Sequence, residues 1–456
     1  MACLWSNSNE VLIQIPLTEE IDNVTFYQIS VKVGEIKWNV KHRYSEFYNL
    51  HNQLITDHGV SKDILPSKKV IGNKSEPFIE NRRKALEKYV QKIFIFLRQT
   101  MPKIFVDFLD FHLYDIYFLL QDLSLLCFTK GDLILSSSRV YSFKPIELYA
   151  INEFLKSPAP NFTNSSKQLD LGPILDLCSQ LDAFIIHGCY NDYLKSNIIL
   201  NKLPIDLSPF KIQKGLYLSN VSLDMVTSLG NARETVTTLE VVFSNVKRIS
   251  DILQCDILHK NTLEESQKWK VLETLDLSNN NLMDIDESIN LAKNLKHLIL
   301  DNNYISTVSD LTQLPNLENL SIENNLITVC NDLHRKIGNI KTLNLSLNNI
   351  VTGKGFYKLY SLETLNLSSN KITNIEELEC LGRLPCLEYL VLNGNNVSSS
   401  IDYRVKVLEF FGERAADIYL DNEKPSEAEL DKVSILSALR IVKEGKTPDL
   451  SMNGSS

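Results

Sequence analysis

Three cationic side chains stand at offsets that suit a definite chemistry. Arg43 opens Arg43-Tyr44-Ser45-Glu46-Phe47, Lys68 closes Leu65-Pro66-Ser67-Lys68, and Arg82 stands four residues before Leu86. A guanidinium offers a planar fork that donates two parallel hydrogen bonds to phosphate oxygens and keeps its charge. The set therefore fits a phosphorylated, anionic ligand. Lys69, Lys74, Arg83 and Lys84 add diffuse positive charge, at about 1 kcal/mol for each basic group near an anionic membrane surface. Ile64, Leu65, Val70 and Ile71 flank the lysines and are apolar enough to dip into an interface. A blander arrangement uses the same residues: Arg43 paired with Glu46, and the loop a solvated basic surface.

Other chemistries find little support. The histidines are dispersed, Gly353-Lys354-Gly355 lacks the rest of a phosphate loop, and no His/Cys set has zinc spacing. Asp332 and His334 are near neighbours without a serine or cysteine to complete a triad. Cys178, Cys189, Cys380 and Cys386 sit at or beside repeat positions, where cysteine serves as a small hydrophobe. The expectation is a binding protein with no catalytic residues, no metal and no cofactor.

Around the cations, Val24 to Tyr44 alternates as strands do. Ile36, Trp38 and Val40 fall on one face, Lys37, Asn39, Lys41 and Arg43 on the other, with a turn at Val33-Gly34-Glu35. Ser45 is placed to cap a helix carrying Phe47, Leu50 and Leu54 and ending near Gly59. Beyond the basic loop, Leu86, Tyr89, Val90, Ile93 and Phe94 mark a second amphipathic helix, and Met101 to Tyr114 a third with Pro102 at its start. Residues 116–168 read as two helical pieces, Pro145 opening one, followed by the Pro/Ser/Asn-rich stretch SPAPNFTNSSKQ, where the main boundary is expected.

From about residue 181 the chain repeats L-x-x-L-x-L-x-x-N. Six full copies have their second leucine-type residue at 275, 298, 320, 343, 365 and 390, and looser copies start at Leu181, near Leu216 and at Val236. Each copy supplies one short strand whose leucines face inward, while the asparagine satisfies backbone groups where the chain leaves the strand. One copy cannot bury its own apolar face, so copies must stack and the ends need caps. Tyr403, Val405, Leu408, Phe410 and Phe411 break the period and supply that cap. A last helix starts at Ser426 with a capping box to Glu429 and carries Leu430, Val433, Leu439 and Val442 on one face, and the final dozen residues are expected to be disordered. The exposed strand positions Asp276, Ile299, Ser321, Asn344, Asn366 and Val391 line a concave face of the kind solenoids use to bind proteins.

The 456 residues, 44% of them hydrophobic, suffice for two or three cores. The first twenty residues lack a secretory pattern, the best apolar stretch, Ile116 to Phe128, is interrupted by Gln121 and Asp122, and no C-x-x-C pair occurs. A cytosolic chain with peripheral membrane contact is the expectation, and the sequons at Asn344 and Asn366 carry no weight. Of the net charge of −9, residues 1–115 hold +1 and the remainder −10. That distribution argues against a nucleic-acid ligand, which calls for a broad basic face.

The motif at Arg43, the loop at Lys68 and Arg82, in this order of elements over residues 8–115, resemble the PX domain family. The resemblance implies an α+β PX-like domain, a small antiparallel sheet plus helices, that binds phosphatidylinositol 3-phosphate. Arg43 would then grip the 3-phosphate, Tyr44 pack under the inositol ring, Lys68 reach the 1-phosphate and Arg82 hold ring hydroxyls. The loop departs from the family in lacking its P-x-x-P run, since Ser67 follows Pro66.

The further order, a helical connector over 116–168, an α/β leucine-rich-repeat solenoid with cap over 169–412 and a helix and tail over 413–456, is similar to the nischarin family. The stretches HRYSEFYNLHNQL, LPSKKVIG, KIGNIKTLNLSLNNI and DYRVKVLEFFGERA carry that likeness. It implies a scaffold on early or recycling endosomes whose repeats meet signalling proteins, among them small GTPases such as Rac, their kinases or integrin tails, in the control of cell migration. Two alternatives stay open. The repeats also resemble a protein-phosphatase regulatory subunit, and a PX domain also occurs in cargo-sorting nexins.

Overall fold

A computed structural model describes residues 2–7, 9–68, 75–156, 170–212, 214–256 and 265–443. The chain divides into two compact units: Met1–Leu181, Ile186–Lys211 and Asp224–Val226 form the first, and Asp182–Ile185, Ile212–Leu223 and Thr227–Ser456 the second. The α+β sheet-and-helix unit and the parallel repeat solenoid expected from the sequence are both present. Among the described residues no helix is long and apolar enough to cross a membrane.

In the first unit, β1 (Val11–Ile21), β2 (Val24–Val33) and β3 (Ile36–Arg43) make an antiparallel sheet in that order. The β1–β2 hairpin turns on Asp22 and Asn23, both at positive φ, where these side chains are tolerated; the β2–β3 turn uses Gly34 at φ +57°. Trp38 and Val40 face inward as the alternation requires.

Helix α1 spans Tyr44–His58, two residues earlier than the Ser45 cap predicts. Glu46 is the reason: its Oε2 accepts the Arg43 amide at 3.0 Å, so the turn closes on Arg43. Gly59, at φ +67°, ends it. Helix α2 covers Glu76–Leu97, with Leu86, Tyr89, Val90, Ile93 and Phe94 buried.

The single helix expected over 101–114 is two, α3 (Lys103–Phe108) and α4 (Phe111–Tyr114), broken at Asp110 with φ +55°. The break turns the Leu109 carbonyl toward Trp38, whose buried indole N–H donates to it at 2.7 Å. A buried donor without that acceptor would cost about 1–3 kcal/mol, more than the helical bonds forgone at one residue. Helices α5 (Ile116–Ser137), α6 (Pro145–Lys156) and α7 (Gly172–Gln180) follow. Asp115, fully buried, caps α5 through the Tyr117 amide at 3.1 Å and accepts the Leu4 amide at 2.6 Å. The expected linker over 157–168 lies outside the described residues.

In the second unit the repeats form a parallel sheet whose leucines are in register from Leu216 through Leu239, Leu275, Leu298, Leu320, Leu343, Leu365 and Leu390 to Leu420. Each is buried, so the core runs unbroken along the stack. The repeat asparagines act between neighbours as well as within a turn. Asn348 Nδ2 donates to Leu345 O at 3.2 Å and to Ile322 O of the preceding repeat at 2.8 Å, while its Oδ1 accepts the Ile327 amide at 3.0 Å. The same pattern recurs at Asn303, Asn370 and Asn395, and Asn325 differs only in donating within its own turn to Glu323 O.

Tyr403, Val405, Leu408 and Phe411 are buried in the cap, around the short helix Tyr403–Glu409. The last helix, Glu427–Lys443, begins with the expected Ser426–Glu429 box, and Glu429 also takes Arg404 Nε at 2.7 Å. Val433 is buried, but Leu439 is 61% exposed, so it does not share the buried face expected of it. Cys386 is likewise exposed instead of filling a repeat position. The expected tail disorder falls outside the described residues.

Candidate lipid headgroup site

The anchors predicted from sequence converge on Tyr44. This residue opens α1 directly after Arg43. Its ring lies 4.4 Å beneath the Arg82 guanidinium, and its hydroxyl donates to the Pro66 carbonyl, two residues before the exposed Lys68. Strand β3 and α2 thus each bring an arginine to Tyr44, and the Pro66 bond ties the loop that carries Lys68 to the same residue. Burial pushes the Tyr44 phenol above its ordinary pKa, opposed by the Arg82 charge, and the same balance acts on Tyr27.

Arg82 has a second ring on it, Phe78, at 4.2 Å. Its Nη2 is buried and has no hydrogen-bond partner among the described residues. A charged donor left unanswered there is costly, so the geometry asks for an acceptor. Arg43 is half exposed, and its Nε lies 3.4 Å from Glu46 Oε1. Glu46 is held in turn by His42 Nδ1 at 3.1 Å, and the His42 ring is stacked on Phe108.

Arg83 departs from its expected place on the membrane side. Its guanidinium is 14% exposed, pairs with Glu80 at 2.7 Å and with Glu87 at 3.8 Å, and donates to the Ile15 carbonyl. Glu87 accepts the Ile15 amide at 2.6 Å and Gln91 donates to Ile13 O at 2.8 Å, so α2 side chains answer the outer edge of β1 where Pro16 interrupts pairing. Arg83 holds the Glu80 carboxyl down to about 2, with a smaller contribution from Lys84. Lys84 stays exposed, Leu65 is half-buried, and Lys69, Lys74 and Ile71 lie outside the described residues. Phe78 was missed in the sequence; its i, i+4 spacing to Arg82 on α2 was the available signal.

One cluster has the makings of a cation site: Asp107, His112 and Asp122 offer ligand atoms within 4.8 Å of one another. The Lys103 ammonium already lies 2.6 Å from Asp122 and 3.6 Å from Asp107, so a side chain fills the cation's place.

Residues 31–112 match the PX domain family, and residues 270–313 and 360–404 match leucine-rich repeats in two copies. The chain is a PX domain followed by leucine-rich repeats. Its PX domain is similar to curated proteins named sorting nexins. Bovine Sorting nexin-24 is 37% identical over 86 residues, which cover 19% of this chain and 48% of that protein. Zebrafish Sorting nexin-14 is 37% identical over 74 residues, 16% of this chain and 8% of that one. The rat serine/threonine-protein kinase Sgk3 is 33% identical over 76 residues, 16% of this chain and 15% of the kinase. The chain thus spans less than half the length of these relatives. Among solved structures, a designed CISK-PX domain is 34% identical, covering 22% of this chain and 97% of that one, with a TM-score of 0.21. A Leptospira interrogans LRR protein is 20% identical, covering 59% and 62%, with a TM-score of 0.41. Both matched domain types are binding modules, for phosphoinositide and for protein.

Proposed function

We propose that the chain is a scaffold recruited to endosomal membrane by phosphatidylinositol 3-phosphate. The reading rests on one observation: Arg82 is stacked on Tyr44 with a buried, unanswered Nη2, beside Arg43 and the Lys68 loop. A phosphorylated inositol supplies what is missing, a ring for Tyr44 and hydroxyl or phosphate acceptors for the cations. Arg43 takes the 3-phosphate, Lys68 the 1-phosphate and Arg82 the ring hydroxyls; Lys84 and Leu65 contribute weaker membrane contact. Similarity to sorting nexins supports an endosomal address, on early or recycling endosomes. Through its repeats the chain holds signalling proteins, as a nischarin-like control of Rac signalling, migration and integrin or endosomal traffic would require.

Liposome co-sedimentation with each phosphoinositide tests this, comparing wild type with Arg43→Ala, Lys68→Ala and Arg82→Gln. Selective binding to the 3-phosphate lipid, lost in Arg43→Ala and Lys68→Ala and weakened in Arg82→Gln, is the expected result. Equal, weak and salt-sensitive binding by all four proteins would overturn it. Affinity capture on the repeat unit then separates small GTPases with their kinases from a phosphatase catalytic subunit or sorting-coat proteins.

A further inference from the structure

Two aromatic rings clamp Arg82. The Tyr44 ring centroid lies 4.4 Å from its guanidinium carbon and the Phe78 ring centroid 4.2 Å from it, so the cation packs against one ring from α1 and one from α2. The guanidinium also has the Tyr27 side chain as a hydrogen-bond partner, while its Nη2 is buried and has no partner among the described residues.

We infer that Phe78 is a positioning residue for headgroup recognition, fixing the orientation of Arg82 so that its unpartnered Nη2 meets an acceptor on the ligand. The inference rests on the site reading above and adds to it a source of selectivity. Lys68 and Lys84 attract any anion, whereas a guanidinium locked in orientation rewards an acceptor at one place on the inositol ring. Phe78 stands in the first turn of α2, four residues before Arg82, so the Arg82 side chain, leaning back toward the helix N-terminus, meets its ring. Leucine in its place keeps apolar volume for packing but removes the ring's negative face. Tyrosine restores that face.

The test is calorimetric titration of the full chain with the soluble headgroup inositol 1,3-bisphosphate, for wild type, Phe78→Leu, Phe78→Tyr, Arg82→Gln and the Phe78→Leu/Arg82→Gln double variant. A desolvated cation–π contact predicts about a tenfold loss for Phe78→Leu and wild-type affinity within about twofold for Phe78→Tyr. In the Arg82→Gln background Phe78→Leu should add nothing, because the ring acts only through the cation. Sedimentation with phosphatidylserine vesicles should be unchanged by either Phe78 variant. If Phe78→Leu binds as wild type while Arg82→Gln does not, the clamp has no role and the site reading survives. If Phe78→Leu costs as much in the Arg82→Gln background as in the wild type, or Phe78→Tyr fails to rescue, Phe78 is only a packing residue and the inference falls. If Arg82→Gln binds as wild type, the site reading fails with it.

Discussion

Arg43 Nε lies 3.4 Å from Glu46 Oε1, so the guanidinium best placed for a phosphate already faces a carboxylate. The contact is half exposed and weak, as surface pairs are. Glu46 cannot simply leave, because it also accepts the Arg43 amide and closes the first turn of α1.

Glu46→Gln should therefore split two effects. Headgroup affinity measured by calorimetry should rise about two- to threefold as Arg43 loses its competitor, a gain on the order of 0.5 kcal/mol typical of an exposed pair. Thermal stability of the PX unit should fall slightly, since glutamine still caps but without charge. An unchanged or lower affinity would show that Glu46 orients Arg43 for its ligand.

Arg83 and Lys84, adjacent in sequence, should behave as opposites. Arg83→Ala strips the Ile15 carbonyl, Glu80 and Glu87 of their donor, and should cost roughly 2–3 kcal/mol of stability with headgroup affinity unchanged within about twofold. Lys84→Ala should leave stability alone and weaken sedimentation with anionic vesicles. Urea unfolding and lipid binding of the two variants check the pair.

Asp115 makes the PX unit sensitive to pH. Burial pushes its carboxyl up to about 7, against the pull of the Leu4 and Tyr117 amides. The folded state thus binds this proton more tightly than the unfolded chain, where the group titrates near 3.8. Its contribution to stability is greatest below pH 4, declines as pH rises through the window from about 4 to 7 and levels off above it. Asp115→Asn removes the decline: relative to wild type it should gain stability from pH 5 to pH 8, by a few kcal/mol at most. A constant difference between the two proteins in urea unfolding across that range would contradict the assignment.

Within the repeats, Asn348→Ala leaves Leu345 O, Ile322 O and the Ile327 amide unanswered in the core. A loss of roughly 2–4 kcal/mol is expected, together with faster amide exchange in the strands of the two adjoining repeats, Asn319–Ser321 and Thr342–Asn344. Loss confined to one repeat would mean that the ladder does not couple neighbours.

Leu347 offers the reverse case. It sits at φ +56° in the position that Asn279, Asn302 and Asn324 fill in earlier repeats. A γ-branched side chain is poorly suited to left-handed backbone, and Asn324 bonds Asn302 at 2.7 Å. Leu347→Asn should raise stability by about 1 kcal/mol, seen as a higher urea midpoint; a decrease would point to apolar contact at this half-exposed leucine.

The repeat unit was legible in the sequence by itself. A period of 22 to 25 residues with leucines at fixed offsets leaves one way to bury them, strand beside strand, and the asparagines follow from the turn each copy must make. The strand alternation of β3, the amphipathic faces of α1 and α2 and the presence of Arg43, Lys68 and Arg82 were legible for the same reason, that local spacing decides them. What local spacing does not decide is the fate of one cation against its neighbour. Arg82 and Arg83 have the same charge and reach, but successive residues on a helix point about 100° apart, and α2 lies against the edge of β1. That packing turns Arg83 inward to an unpaired carbonyl and leaves Arg82 between Tyr44 and Phe78. The break at Asp110 has a similar origin, in a buried indole 71 residues away that takes the Leu109 carbonyl. Both are contacts between distant segments, and only the tertiary structure brings those segments together.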